Sequence, residues 1–245
     1  MAEPLFTRDA IQIVSDWQRG GNHHQKILRG QRLKELSGGL PKRFREFDAI
    51  CFRQEAHEKD RTWQLLACRR LPEEIAAWTT DLDVARNFKG GVPPPGFNGV
   101  IFSVKPPPDA VIINLNALFA DPEFRAAVEV HRSKVIGFAD GTGRWGISQM
   151  EVVLEFDRVE PARVVSYGGF SADRKTLAAL NFGREPTSAD LTAFDALMTE
   201  AGIEPGQWWL STKGTRAVLQ RIEPHIQRLK EQKKASQTSS KFSLT

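Results

Sequence analysis

Two cysteines in 245 residues, Cys51 and Cys68, are too few for a disulfide framework and wrongly spaced for a zinc site, although the two can pair with each other. No apolar run approaches the roughly 20 residues that a membrane span requires. The start Met1-Ala2-Glu3-Pro4 lacks the basic opening and apolar stretch of a signal peptide. Internal repeats are missing, which removes solenoids and propellers. His23-His24 is the one tempting metal pair, yet adjacent helical positions face different ways and no partner cluster accompanies it. These absences lead to the expectation of a soluble, cytoplasmic protein with no metal. What is present is a 40% hydrophobic content, enough for one substantial domain or one domain with a small appendage.

Charge is distributed unevenly. Residues 1–45 hold nine Lys/Arg against four Asp/Glu, a net of +5, and residues 213–245 hold eight against two, a net of +6. The stretch 46–212 has 17 against 24, a net of −7. Basic ends flanking an acidic middle suit a protein that grips a polyanion such as RNA or DNA with its arms. From Lys230 onward the chain is poor in apolar residues and rich in Lys, Gln and Ser, the composition of a solvated tail.

Periodicity gives a coarse plan. Thr7 or Asp9 caps a first helix through Trp17, with Ile11, Val14 and Trp17 near one face; Gly20-Gly21-Asn22 breaks it, and a second helix runs from about His23 to Leu36. Asp48 to Arg53 reads as a short buried strand ending in an arginine. Arg61 to Arg69 is helix or hairpin, Ile75 to Thr80 a strand, and Asp81 to Phe88 a short helix. Gly90 to Gly99 is a loop with Phe97 in its middle. Strands at Val100 to Val104 and Ala110 to Asn114 precede a helix over Leu115 to Arg132. Beyond the strand Ala162 to Tyr167 the pattern turns helical: 171–181, 187–201 and 213–231. Strands dominate the middle and helices the flanks without steady β-α-β alternation, so the class is α+β. In Trp208-Trp209, packing for the C-terminal helices outweighs base stacking.

The most informative segment is Ser148-Gln149-Met150-Glu151-Val152-Val153-Leu154-Glu155-Phe156, a strand expected to open directly out of the glycine-rich, flexible stretch Phe138 to Gly146. Alternation sends Met150, Val152, Leu154 and Phe156 into a core and Gln149, Glu151, Val153 and Glu155 to the other face. An amide and a carboxylate two residues apart can then hold one substrate together. Two further pieces accompany it: Arg53 at a strand end, ahead of Arg69 and Arg70 as rivals, and Trp78-Thr79-Thr80 at another strand end. An arginine fork matches phosphate oxygens. A carboxylate near a ribose stabilises the cationic sugar that forms when a glycosidic bond breaks.

This order and content resemble the ADP-ribosyltransferases of the arginine–serine–glutamate class, typified by the clostridial and cholera-like toxins. Ala77-Trp78-Thr79-Thr80 followed by Asp81-Leu82-Asp83-Val84-Ala85-Arg86-Asn87-Phe88 is similar to the family's Ser-Thr-Ser strand and short helix, Phe52-Arg53 to its aromatic–arginine pair, and Gln149-Met150-Glu151 to its Gln-x-Glu motif. The likeness covers roughly residues 48–166. It departs from the pattern in having Ala77 or Trp78, depending on register, where the first serine stands, and Gln54 where a glycine often follows the arginine.

The resemblance implies a core of two packed, mainly antiparallel sheets flanked by helices. Four regions result: a basic helical segment (1–45), the catalytic core (46–170), C-terminal helices packed on it (171–231) and a basic disordered tail (232–245). It implies NAD as co-substrate, with Glu151 stabilising the oxocarbenium ion and Gln149 orienting the acceptor. Arg53 would hold NAD, Thr79 would brace the carboxylate, Thr80 and Phe88 would complete the cofactor site, and Phe97 would stack near the nicotinamide. Trp145 would contact the acceptor. In the family Gln-x-Glu goes with amide side chains or nucleobases, and the basic arms tip the choice toward a base in RNA or DNA. The implied setting is a bacterial toxin–antitoxin or phage-defence toxin with an antitoxin partner and no membrane. The alternatives are a modifier of asparagine or glutamine in proteins, an NAD glycohydrolase, or a non-catalytic nucleic-acid-binding module.

Overall fold

The computed structural model of the protein describes residues 4–92, 96–160, 162–169, 173–204 and 209–242. In chain order, helices α1 (Arg8–Arg19) and α2 (His23–Gly39) precede β1 (Cys51–Glu58), α3 (Lys59–Cys68), β2 (Ile75–Thr79) and α4 (Leu82–Asn87). Then come β3 (Phe97–Val104), β4 (Val111–Asn114), α5 (Leu115–Ala120), α6 (Pro122–His131) and α7 (Thr142–Trp145). The remainder holds β5 (Glu151–Glu155), β6 (Arg163–Gly168), α8 (Arg174–Phe182), α9 (Ser188–Glu200), β7 (Ile203–Glu204), β8 (Trp209–Leu210) and α10 (Thr212–Phe242). The class is α+β, as expected. No helix among the described residues is long and apolar enough to cross a membrane.

The chain divides into two compact units, the first formed by Met1–Arg53, Arg70–Val84 and Val104–Pro161 and the second by Gln54–Arg69, Ala85–Ser103 and Ala162–Thr245. In the first, strands run β4-β5-β2-β1 with antiparallel pairing. The segment 1–45, set apart by its charge, is folded into this unit's core. Ile11 and Val14 of α1 and Leu33 of α2 are wholly buried with Ile113, Leu118, Phe124 and Val153. Thr7 caps α1, its hydroxyl accepting from the Ala10 N–H at 3.3 Å. The single helix expected over 115–132 is two, because Asp121 accepts from the N–H groups of Glu123 and Phe124 and starts α6 with Pro122 in its first turn.

Burial of β5 differs from the alternating pattern. Val152, Val153 and Leu154 are all inaccessible, while Met150, expected to point into the core, is 40% exposed. A strand flanked on both sides, with helices over the Val153 face, has no solvent face to offer.

In the second unit the order is β1-β3-β6-β8-β7. Strand β1 continues five residues past Arg53, which is not a strand end as expected. Its polar run makes side-chain contacts: Glu55 meets the His57 ring at 3.0 Å, and Gln54 donates to the Gly91 carbonyl at 2.9 Å. Phe97 opens β3 instead of lying mid-loop. Trp209 is buried against Gly99 and Gly169, where an added Cβ would stand 2.5 Å from its ring. This agrees with packing, while Trp208 lies outside the described residues. Helix α10 runs to Phe242, through most of the stretch expected as a disordered tail from 232. Its Glu, Gln, Lys and Ala residues are strong helix formers despite their polarity. Cys51 and Cys68 are free thiols, and burial pushes Cys51 up to about 12.

Candidate active site

Strand register aligns the motif pieces. Thr79 stands opposite Glu151 across β2 and β5, and Phe52 stands opposite Thr79 across β1 and β2. Directly opposed residues of an antiparallel pair share a face. The three segments singled out in the sequence thus meet on adjacent strands of one unit, with Arg53 one step along β1.

Glu151 is the first residue of β5 and only 3% exposed. One carboxylate oxygen, Oε1, accepts the indole N–H of Trp17 at 2.5 Å. The other, Oε2, is buried with no hydrogen-bond partner among the described residues. Desolvation pushes the Glu151 carboxyl up to about 7; the Trp17 hydrogen bond and the positive charge of Arg53 act the other way and are outweighed. The result is a carboxylate that changes charge near neutrality and has an oxygen waiting for a donor.

Arg53 is the cation that acts on Glu151. It donates through Nη1 to the Ala77 carbonyl at 2.7 Å, and Nη2 lies 3.8 Å from Glu73. The largely buried Glu73 also pairs with Lys26 at 3.3 Å and lies 3.4 Å from the His23 ring. Of the rivals, Arg70 pairs with Asp157 and Glu74 at the surface, and Arg69 lies over the Phe102 ring in the second unit.

Thr79 does not brace Glu151 in the way the resemblance implies. Its hydroxyl accepts from the Asp81 N–H at 3.1 Å, closing the turn after β2, and the hydrogen bond to the carboxylate comes from Trp17. Thr80 contributes its N–H to the Met150 carbonyl at 3.0 Å, extending the β2–β5 pairing one step beyond Glu151.

Gln149 lies in a turn, not on the strand, so strand alternation does not pair it with Glu151. Successive tight turns, Ser148 N–H to the Trp145 carbonyl and Met150 N–H to the Ile147 carbonyl, feed β5. Met150 takes up the reversal with φ +47°, a left-handed conformation rare for a side-chain-bearing residue. Substituting Met150→Ile, which is β-branched, is expected to lower stability by about 1–2 kcal/mol while Met150→Gly does not lower it, read from urea unfolding midpoints.

The stretch before this turn is helical and tied down. Gln12 exchanges two hydrogen bonds with the backbone of Ile136 (3.0 and 2.8 Å). The Ser15 hydroxyl accepts from Thr142 N–H at 3.3 Å, and Gln18 donates to the Gly146 carbonyl at 2.7 Å and accepts from the Thr142 hydroxyl at 3.0 Å. Gly141 permits this approach, since a Cβ there would stand 2.2 Å from the Ser15 carbonyl oxygen. Trp145 is half-buried with the Arg144 guanidinium 4.6 Å above its ring. Trp78 is buried edge-on to Phe156, as a packing residue.

Phe88 and Phe97 belong to the second unit, so the first unit holds Glu151, Gln149, Arg53, Thr79, Thr80 and Trp145. The residues that sequence reasoning passed over are Trp17 and Glu73. For Trp17 a signal existed: an indole on the packing face of a helix carries an N–H that needs an acceptor. Surface depressions lined by Thr215 and Leu219, and by Phe119 and Arg125, contain none of these groups. No family model, curated protein or solved structure matches this chain.

Proposed function

We propose that the protein is an NAD-dependent mono-ADP-ribosyltransferase that moves ADP-ribose to a nucleobase in RNA or DNA. The observation carrying this reading is Glu151: a buried carboxylate with one oxygen held and the other unpartnered, aligned with Thr79 and within the field of Arg53. An unpaired buried oxygen is costly, and a ribose hydroxyl entering as the surrounding side chains part relieves that cost. As the bond from C1′ to the nicotinamide nitrogen breaks, its electron pair leaves with the ring, which becomes neutral nicotinamide. The ribose becomes an oxocarbenium ion, and the ionised Glu151 stabilises it electrostatically. A base nitrogen or oxygen then bonds to C1′ and loses its proton to solvent. Arg53 supplies a guanidinium for the diphosphate or ribose, and Gln149, at the exposed turn, an amide that both donates to and accepts from a base edge.

The basic ends support a nucleic-acid acceptor, because lysines and arginines there give a sequence-independent phosphate grip. An intracellular toxin held by an antitoxin is the setting that fits such chemistry. The test incubates the full chain with biotinylated NAD and, in parallel, total RNA, genomic DNA and lysate protein. Label on nucleic acid is the expected result. Label on protein alone moves the acceptor to asparagine or glutamine, nicotinamide release without label makes the protein an NAD glycohydrolase, and neither reaction leaves a binding module.

A further inference from the structure

We infer that Trp17 is a positioning residue of the Glu151 site, its indole N–H holding one carboxylate oxygen so that the other stays directed at the ligand. This rests on the reading of Glu151 as the carboxylate that faces the ribose. Residue 17 lies outside the stretch that resembles a transferase, 134 residues from its partner, and reaches it through the fold alone.

The placement of the indole is determined from several sides. Gln12, Ser15 and Gln18 flank Trp17 on α1, and their hydrogen bonds to Ile136, Thr142 and Gly146 fix the rotation of the helix. On α2, Gly30 provides room: a Cβ there would stand 3.4 Å from the Trp17 ring and 3.1 Å from Ile75 of β2. The Nε1–Oε1 separation of 2.5 Å makes this a charge-assisted bond once Glu151 ionises. It restrains a side chain that otherwise has three rotatable bonds, and it favours the charged form against burial. The groups facing the carboxylate are then the Trp17 donor from α1 and the Arg53 charge from β1, with Arg53 itself next to Glu73.

The experiment compares the full chain carrying Trp17→Phe, and a second form with benzothienylalanine at position 17, which keeps the indole's shape and deletes only the N–H. The ¹³C carboxyl signal of Glu151, assigned by its disappearance in Glu151→Gln, is titrated in each. Loss of the donor is expected to raise its midpoint by about one pH unit in both forms, the scale of one hydrogen bond to the charged state. The acid limb of NAD cleavage is expected to move by the same amount. An unmoved midpoint in the benzothienylalanine form, with activity falling equally at all pH values in Trp17→Phe, overturns the inference and makes Trp17 a packing residue. A moved midpoint in a protein that cleaves no NAD upholds the hydrogen bond's role on Glu151 while sinking the transferase reading, so the two failures are distinguishable.

Discussion

Glu151→Gln is expected to abolish transfer and, in the same protein, to gain stability relative to the wild type as pH rises. The carboxyl has an ordinary value of 4.5 and is pushed up to about 7 by burial. Between those values the native protein keeps a proton that the unfolded chain has released. Wild-type stability therefore has its full contribution below pH 4.5 and loses it as pH rises through 7, a total of roughly 3 kcal/mol. Glutamine does not titrate. The stability difference between variant and wild type should accordingly shift in the variant's favour by roughly 3 kcal/mol from pH 4.5 to pH 8. Taking the difference across pH removes whatever constant cost the amide incurs beside Trp17. Activity moves the opposite way: losing the charge that stabilises the oxocarbenium ion should lower kcat by at least about 100-fold. Urea unfolding of both proteins at a series of pH values reads the first effect, and NAD cleavage reads the second. A site that costs stability in order to hold a charge out of water is expected at a catalytic centre.

The pH dependence of catalysis is the second large effect. Stabilising a cationic sugar requires the ionised carboxylate, so kcat/KM of the wild type should fall about tenfold per pH unit below 7 and level off above it. An ordinary glutamate would place this limb near 4.5, so a limb near 7 is specific to the burial of Glu151. Arg53→Gln removes a positive charge that opposes the effect of burial and should move the limb upward as well as raising KM for NAD. The pH–rate profiles of wild type and Arg53→Gln with saturating acceptor check both statements.

Legibility in the sequence was uneven for reasons that lie in particular residues. β2 and β5 were readable because Ile75 to Thr79 and Glu151 to Phe156 are β-rich and bounded by turn-forming residues, and their register brings Thr79 opposite Glu151. Alternation then misled at the entrance to β5, since Met150 adopts a left-handed conformation and takes Gln149 out of the strand. Period-two reasoning has no access to a backbone reversal at a residue other than glycine. The polar continuation of β1 was invisible because hydrogen-bonded pairs such as Glu55–His57 make a strand of residues that look like loop. The α10 extension was hidden for a related reason: helix propensity, not apolar content, carries it. Trp17 and Glu73 required tertiary information, as each meets its partner across a separation that no local pattern spans.

The account stands on one carboxylate, and the most direct test is nicotinamide release from NAD at pH 8, with total RNA and DNA present, by wild type and Glu151→Gln side by side. The account predicts release by the wild type and none above background by the variant, whose fold is verified by its unfolding transition. Equal release by both proteins, or none by the wild type with any acceptor, would contradict it.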